Sequence, residues 1–242
     1  MKFPALPVVL GIILCPALFA QSAVTSPDDE SAAPAAEAAA APSAQLYGKL
    51  VGDLYVSPTG VFQLKVPVLP QLGGGISDTP NLVTFDDDYT THLSVGAFPL
   101  SRELKWEYDT RGTKDFLAFF FANVVMPDFA TRFPGAKMED NGLFLPKFED
   151  GSMLIFTLLP GGSVFQGQVN LFRPAAPLVA KRGNLCFVKF NYVFVVTTEL
   201  AERILEHSTY HKTVEEENVI LRDRLMAVTK TIQFIKPPEA KD

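Results

Sequence analysis

Hydrophobic residues follow the period of a β-strand most clearly between Asn184 and Thr198, a run rich in β-branched and aromatic side chains. One set of alternate positions is wholly apolar, while the other set is apolar at both ends and polar in the middle. This pattern is typical of a central strand with one face on a core and the other face partly covered. We therefore predict a single long strand here. Its wholly apolar positions are Cys186, Val188, Phe190, Tyr192, Phe194 and Val196.

Shorter strand patterns occur before this run and are separated by turn residues. The first two pairs of predicted strands, 54–56 with 61–68 and 82–85 with 93–98, are expected to form hairpins. The second hairpin has the polar turn Asp86–Thr91 between its strands. Consecutive strands joined by turns indicate a mainly antiparallel sheet. The predicted strands cover residues 54–56, 61–68, 82–85, 93–98, 142–148, 153–159 and 164–172.

A helical period of 3.6 residues replaces the strand period in three segments. Thr113 is a candidate N-cap for a largely apolar helix, which Pro127 is expected to kink or end. A short helix is predicted over 199–206. Thr213 and Glu216 have the spacing of a capping box, which predicts the start of a C-terminal helix.

The C-terminal helix has an apolar stripe that includes Leu221, Leu225 and Val228. An amphipathic helix buries such a stripe against a neighbouring element. We expect it to pack on the face of the sheet that contains Phe190 and Phe194. The predicted fold class is therefore α+β, with a mainly antiparallel β-sheet covered by helices.

Composition and charge narrow the classes of partner. The chain has 242 residues and is 48% hydrophobic, which is enough apolar material for a core. Its formal net charge is −6. Because nucleic-acid binding needs a basic surface, we expect no nucleic-acid partner.

The first 45 residues differ in character from the rest of the chain. Residues 1–20 contain one lysine followed by an apolar stretch, which is typical of a secretory signal peptide and predicts an extracytoplasmic location. Lipidation at Cys15 and retention of the segment as an anchor are alternatives, and membrane association is expected only if the segment is retained. Residues 21–45 are rich in Ala, Pro and acidic residues, which predicts a disordered linker. Residues 46–242 are expected to form a single α+β domain.

Four short segments, Tyr55–Ser57, Gly60–Pro67, Leu93–Val95 and Leu225–Phe234, occur in the order of a known family. They resemble the PsbP-like family, which is named for an extrinsic subunit of photosystem II and includes bacterial extracytoplasmic relatives such as DcrB. The resemblance implies an α-β-α sandwich built on an antiparallel sheet. It supplies no functional residue that could be assigned to this chain.

His207 and His211 are the strongest candidates for metal ligands. They are four residues apart, so on a continuous helix both imidazoles would face the same side and could bind zinc. However, Ser208 occupies the position of the catalytic glutamate in a metalloprotease motif, and the pair lies in a junction between two predicted helices. We therefore favour a solvated connector, and we predict no metal and no cofactor.

Other residues that could support chemistry have simpler structural explanations. The triple glycine Gly73–Gly75 lacks the lysine of a phosphate-binding loop, and Asp86–Asp88 lacks the alternating spacing of a calcium loop. His92 is expected at the surface. Cys186 is expected to be buried and inert because it shares the apolar face of the central strand.

No catalytic signature is present, so a binding function is favoured over catalysis. The prediction is a secreted or periplasmic binding or assembly module with an envelope protein as its partner. One alternative is an envelope enzyme whose metal or carboxylate site is built from distant loops, drawing on carboxylates such as Glu139, Asp140, Glu149 and Asp150. The other is an accessory structural subunit that binds through the apolar helix face Phe116–Phe121.

Overall fold

Antiparallel pairing joins every strand of the computed structural model, which describes residues 46–169 and 178–238. The strands are β1 (Lys49–Val51), β2 (Leu54–Val56), β3 (Phe62–Lys65), β4 (Gly75–Asp78), β5 (Leu82–Asp86), β6 (His92–Pro99), β7 (Lys137–Met138), β8 (Leu143–Leu145), β9 (Ser152–Pro160), β10 (Val179–Lys189), β11 (Tyr192–Glu199) and β12 (Gln233–Phe234). The large sheet has the order β4-β5-β6-β11-β10-β9-β7, with β8 also paired to β9, and the small sheet has the order β1-β2-β3-β12.

Helices cover both faces of the large sheet. The helices are α1 (Arg102–Arg111), α2 (Thr113–Phe120), α3 (Met126–Arg132), α4 (Ala201–Leu205) and α5 (Val214–Thr229). On one face, α5 and the small sheet enclose a core that includes Phe62, Phe194 and Leu225. On the other face, α2 packs Phe116 and Phe120 in a cluster with Cys186, Val195 and other buried residues. The predicted α+β class with an antiparallel sheet covered by helices is therefore confirmed.

The predicted central strand is instead a hairpin of two strands, β10 and β11. Phe190 and Asn191 form its two-residue turn with φ angles of 52° and 62°, and Lys189 pairs with Tyr192 across it. Asn adopts positive φ more readily than most residues, but the turn lacks the glycine that usually marks such a hairpin. The prediction of one continuous strand was therefore wrong.

The turn also changes which residues share a face of the sheet. Cys186 lies opposite Val195, on the side of α2, whereas Phe194 lies opposite Phe187, on the side of α5. The predicted packing of the C-terminal stripe on the Phe194 face is confirmed. Phe190 does not belong to that face, because it lies in the turn.

Gly183 lies directly below α5. A Cβ atom at this position would be 2.9 Å from Leu225 Cδ1 and 3.1 Å from Leu221 Cβ. The absence of a side chain at Gly183 thus lets the helix approach the backbone of the sheet closely.

Gly183→Ala is therefore expected to destabilise the domain by about 1–3 kcal/mol, because α5 must move away from the sheet to accept one methyl group. Urea denaturation of the variant and the parent chain measures this difference. Gly167→Ala is a suitable control, since a Cβ at Gly167 meets no atom within 4 Å. An equal midpoint for Gly183→Ala and the parent would contradict the close packing of α5.

The helix that follows Thr113 is longer and less regular than its sequence suggests. A π-helical turn, Phe121–Val125, connects α2 to α3, and Pro127 lies in the first turn of α3. Proline is tolerated in a first turn, where its missing N–H has no helical partner. Pro127 thus marks the change from the π-helical turn to α3 and does not end the helical region.

The structure contains further elements that the sequence pattern did not predict. Helix α1 begins at Ser101, whose hydroxyl accepts a hydrogen bond from the backbone N–H of Leu104 at 3.2 Å. Strand β4 begins within the triple glycine, at Gly75. The strand predicted over 164–172 is wrong for the part of this segment that the structure describes, because Gln166–Val169 is a 3-10 helix.

The predicted signal peptide and linker, residues 1–45, lie outside the described residues. Within 46–169 and 178–238, no helix is both long enough and apolar enough to span a bilayer.

Candidate functional site

Charged and polar side chains gather at one end of the large sheet, which we call the loop end. Here β5, β9 and β11 finish and β6 and β10 begin. Asp86 and His92 pair across β5 and β6, and Arg182 and Glu199 pair across β10 and β11. Lys181, next to Arg182, projects to the opposite face. Loops at such an end are common locations for functional residues.

Lys181 is the centre of a buried ionic network on the α5 side of the sheet. Its side chain is fully buried, with Nζ 2.8 Å from Glu139 Oε2 and 3.1 Å from Glu217 Oε2. Arg203 Nη1 lies 2.6 Å from the second carboxylate oxygen of Glu217. Two bases and two acids thus balance one another, which is the arrangement in which buried charges are tolerated.

Arg182 and Glu199 form a second buried ion pair on the opposite side of the sheet. Arg182 Nε donates to Glu199 Oε2 at 3.1 Å, and Arg182 Nη2 donates to the carbonyl oxygen of Gly162 at 2.8 Å. Burial raises the pKa of Glu199, while the guanidinium of Arg182 opposes that rise. Burial also lowers the pKa of Arg182, against the effect of Glu199.

His92 is buried next to this pair, which corrects the prediction of a surface histidine. Its pKa is held well below the ordinary value, first by burial and second by the positive charge of Arg182. Nδ1 of His92 and Oε1 of Glu199 have no hydrogen-bond partner among the residues that the structure describes. The neutral imidazole lies beside the ion pair in the sheet, and we call this set of buried polar side chains the polar row.

Asn184 completes the polar row with satisfied hydrogen bonds. Its amide nitrogen donates to Ile155 O at 3.1 Å and to Thr157 Oγ1 at 3.2 Å. Its amide oxygen accepts from Thr197 Oγ1 at 2.9 Å. These bonds tie β9, β10 and β11 together, so the polar row contributes to the stability of the sheet.

The buried charges have no open access to a substrate. Lys181, Glu199 and Glu217 are almost fully buried. Among the described residues, no group of three or more His, Cys, Asp or Glu side chains could hold a metal ion. The geometry therefore supports a structural role for these side chains.

A different part of the loop end is exposed, and we call it the tip. It consists of the loop Leu69–Gly74 and the turn Asp86–Thr91, which are joined by a 3.1 Å hydrogen bond from Asp88 N to Leu72 O. Three large apolar side chains of the tip are exposed: Leu69 at 58%, Leu72 at 39% and Tyr89 at 57%. The tip thus combines apolar surface with three consecutive aspartates.

Asp87 fixes the shape of the turn. Its Oδ1 accepts hydrogen bonds from the backbone N–H groups of Tyr89, Thr90 and Thr91, each at 2.9 Å. An aspartate that caps its own turn in this way holds the loop in one conformation. The aspartate run is a turn, as the sequence indicates, and it also presents Tyr89 to solvent.

The histidine pair His207 and His211, which the sequence offers as candidate zinc ligands, remains untested. His207 begins a 3-10 helix, His207–Thr209, and His211 is exposed after it. The two residues therefore do not share a continuous α-helix, which was the premise of a zinc site. The expectation of no metal stays a prediction.

Cys186 is fully buried, and burial raises the pKa of its thiol. We expect slow modification by a thiol reagent in the native state and a cost below about 1.5 kcal/mol for Cys186→Val, since the volume is nearly conserved. Labelling kinetics with and without denaturant measure the first expectation, and urea denaturation measures the second. Rapid labelling of the native chain would contradict the buried position.

Sequence reasoning missed the ionic network at Lys181 and the ion pair at Arg182. One signal was available: two adjacent bases directly follow the apolar residues 178–180, within a segment that the structure shows to be a strand. Charged residues are almost never fully buried unless they are paired. The partners Glu199 and Glu217 could not be identified without the topology.

No family model matches the chain, and no curated protein matches it. Among solved structures, the chain is similar to a crystal structure of the Ran-binding protein Mog1p from Saccharomyces cerevisiae, with a TM-score of 0.43 and 10% sequence identity. The match covers 79% of this chain and 97% of the Mog1p chain. At this level of similarity, no property of Mog1p transfers to this chain.

These findings correct several interpretations made from the sequence. The resemblance to the PsbP-like family is wrong, since no family model matches the chain. The secreted or periplasmic module, its two alternatives, the signal peptide and the extracytoplasmic location are withdrawn with it, because no family model and no curated protein supports them. The α+β fold class stands, because the sheets and helices described above show it directly.

Proposed function

We propose that this chain is a protein-binding module whose contact surface is the tip. The observation that carries the proposal is the exposure of Leu69, Leu72 and Tyr89 on two loops joined by a backbone hydrogen bond. Exposed apolar side chains that occur singly need no explanation, whereas a group of them rimmed by polar residues marks an interaction site. Tyrosine is also among the residues that contribute most to protein interfaces.

The rigidity of the tip supports the same proposal. Asp87 caps the turn, and the backbone N–H of Gly74 donates to Leu69 O at 3.0 Å, which closes the neighbouring loop. A surface that is ordered before binding loses less conformational entropy when a partner binds. The buried charges are already paired inside the domain, so in this proposal they stabilise the scaffold and do not contact the partner.

Photo-crosslinking in the native host tests this proposal. A photoreactive phenylalanine analogue replaces Tyr89 in one variant, Leu69 in a second and Trp106 in a third. Trp106 is a matched control, because it is an aromatic residue on α1 that is 63% exposed. The variants at Tyr89 and Leu69 are expected to form the same adduct, and the variant at Trp106 is expected not to form it. The change Asp88→Lys should lower the yield of this adduct. Adducts that form equally at all three positions, or at Trp106 alone, would exclude the tip as the contact surface.

A further inference from the structure

The tip carries unbalanced negative charge. Residues 66–101 contain four aspartates but no lysine, arginine or glutamate. Asp78 is separated from the others, since its carboxylate accepts hydrogen bonds from Tyr47 N, Gly48 N and the hydroxyl of Tyr55. Asp86, Asp87 and Asp88 remain at the tip.

The last lysine before the tip in the sequence is already paired. Lys65, the last base before the segment, lies 3.0 Å from Asp53. Of the ion pairs formed between described residues, none includes Asp86, Asp87 or Asp88. Among the described residues, no basic side chain neutralises the tip through an ion pair, so its negative charge is available to a partner.

The three aspartates also repel one another. The pKa of Asp86 is raised first by burial and then by the charges of Asp87 and Asp88. A cation that approached the tip would reduce this repulsion and would lower the pKa of Asp86. Electrostatic complementarity of this kind selects partners by charge and speeds their association.

We infer that the tip binds a short basic segment of a partner protein, in which lysine or arginine alternates with apolar residues. The basic side chains lie against Asp86 and Asp88, and the apolar side chains lie against Leu69, Leu72 and Tyr89. This inference rests on the proposed function, because it names the partner of the same surface. The tip consists of only two short loops, so the contact belongs to the small, transient class of interfaces and weakens as salt increases.

Selection of random peptides displayed on phage against the immobilised full chain tests the inference. The selected peptides are then synthesised with a fluorescent label, and their affinities are measured by anisotropy at about 50 mM and about 300 mM NaCl. We expect peptides enriched in Lys or Arg together with apolar residues. Their affinity should fall at least about tenfold with Asp88→Lys or Tyr89→Ala, and should fall also at the higher salt concentration.

Matched controls separate this inference from the proposed function. Asp109→Lys changes an exposed charge on α1 by the same amount as Asp88→Lys, and Trp106→Ala removes an exposed aromatic ring as Tyr89→Ala does. Both control variants should bind the peptides within about twofold of the parent chain. Tip-dependent peptides without a basic preference would overturn the inference and leave the proposed function intact. If no selected peptide depends on the tip, both the inference and the proposed function fail.

Discussion

Leu225→Asp is expected to leave the domain largely unfolded. Leu225 is fully buried in the core between α5 and the large sheet, and it lies directly above Gly183. Losing the burial of a leucine side chain costs about 1.5–3 kcal/mol, and an unpaired carboxylate in an apolar site adds several kcal/mol more. The sum approaches the whole stability of an ordinary domain, which is about 5–15 kcal/mol. Circular dichroism and thermal denaturation of the purified variant measure the loss.

A neighbouring substitution on the exposed side of α5 provides the control. Arg222→Lys keeps the charge at a half-exposed position, so its melting temperature should match that of the parent chain. A folded Leu225→Asp variant with an unchanged melting temperature would show that α5 does not belong to the core. A folded variant that instead loses self-association would show that this stripe is an interface between copies of the chain.

Lys181→Met is expected to destabilise the domain by about 3–5 kcal/mol, the usual cost of removing one partner from a buried ionic network. Methionine has a similar length, so the change removes the charge with little change in volume. Glu217 would keep its ion pair with Arg203, and the carboxylate of Glu139 would lose the cation at 2.8 Å. The free energy of unfolding from urea denaturation measures the cost.

Lys65→Met is the matched control for the ionic network. Lys65 Nζ lies 3.0 Å from Asp53 Oδ2, and both side chains are mostly exposed to solvent. Such a pair contributes about 0–1 kcal/mol.

The double variant Lys181→Met with Glu217→Gln should lose less stability than the sum of its two single variants, because the two residues interact directly. Additive losses would mean that Lys181 and Glu217 do not stabilise each other.

The sequence predicted the fold class because apolar periodicity and turn residues are local signals. The capping box of Thr213 and Glu216 is one example, and both of its hydrogen bonds are present in the structure. The hairpin at Phe190–Asn191 was missed because its flanking residues alternate like one continuous strand and its turn contains no glycine. Helix α1 was missed because its residues are mostly polar and mostly exposed, so no apolar stripe marks the helical period.

The candidate site was less predictable than the fold, because it depends on contacts between distant residues. Strand β11 and helix α4 lie between Lys181 and Glu217 in the chain, and nothing in their local sequence connects the two residues. The tip combines two loops that meet through the hydrogen bond from Asp88 to Leu72. The aspartate run was visible in the sequence, but nothing in the sequence indicated that Leu69 and Leu72 would lie next to it.

The last strand of the small sheet has a consequence for biosynthesis. β12 pairs with β3, so Gln233 and Phe234 complete a sheet whose other strands lie 168 or more residues earlier in the chain. A ribosome releases β1, β2 and β3 long before it has synthesised β12 and α5. During that interval the apolar side chains of the small sheet lack part of their core, as is common for folds with many long-range contacts. Folding of this domain therefore finishes only after β12 has left the ribosome, and the nascent chain needs protection from aggregation until then.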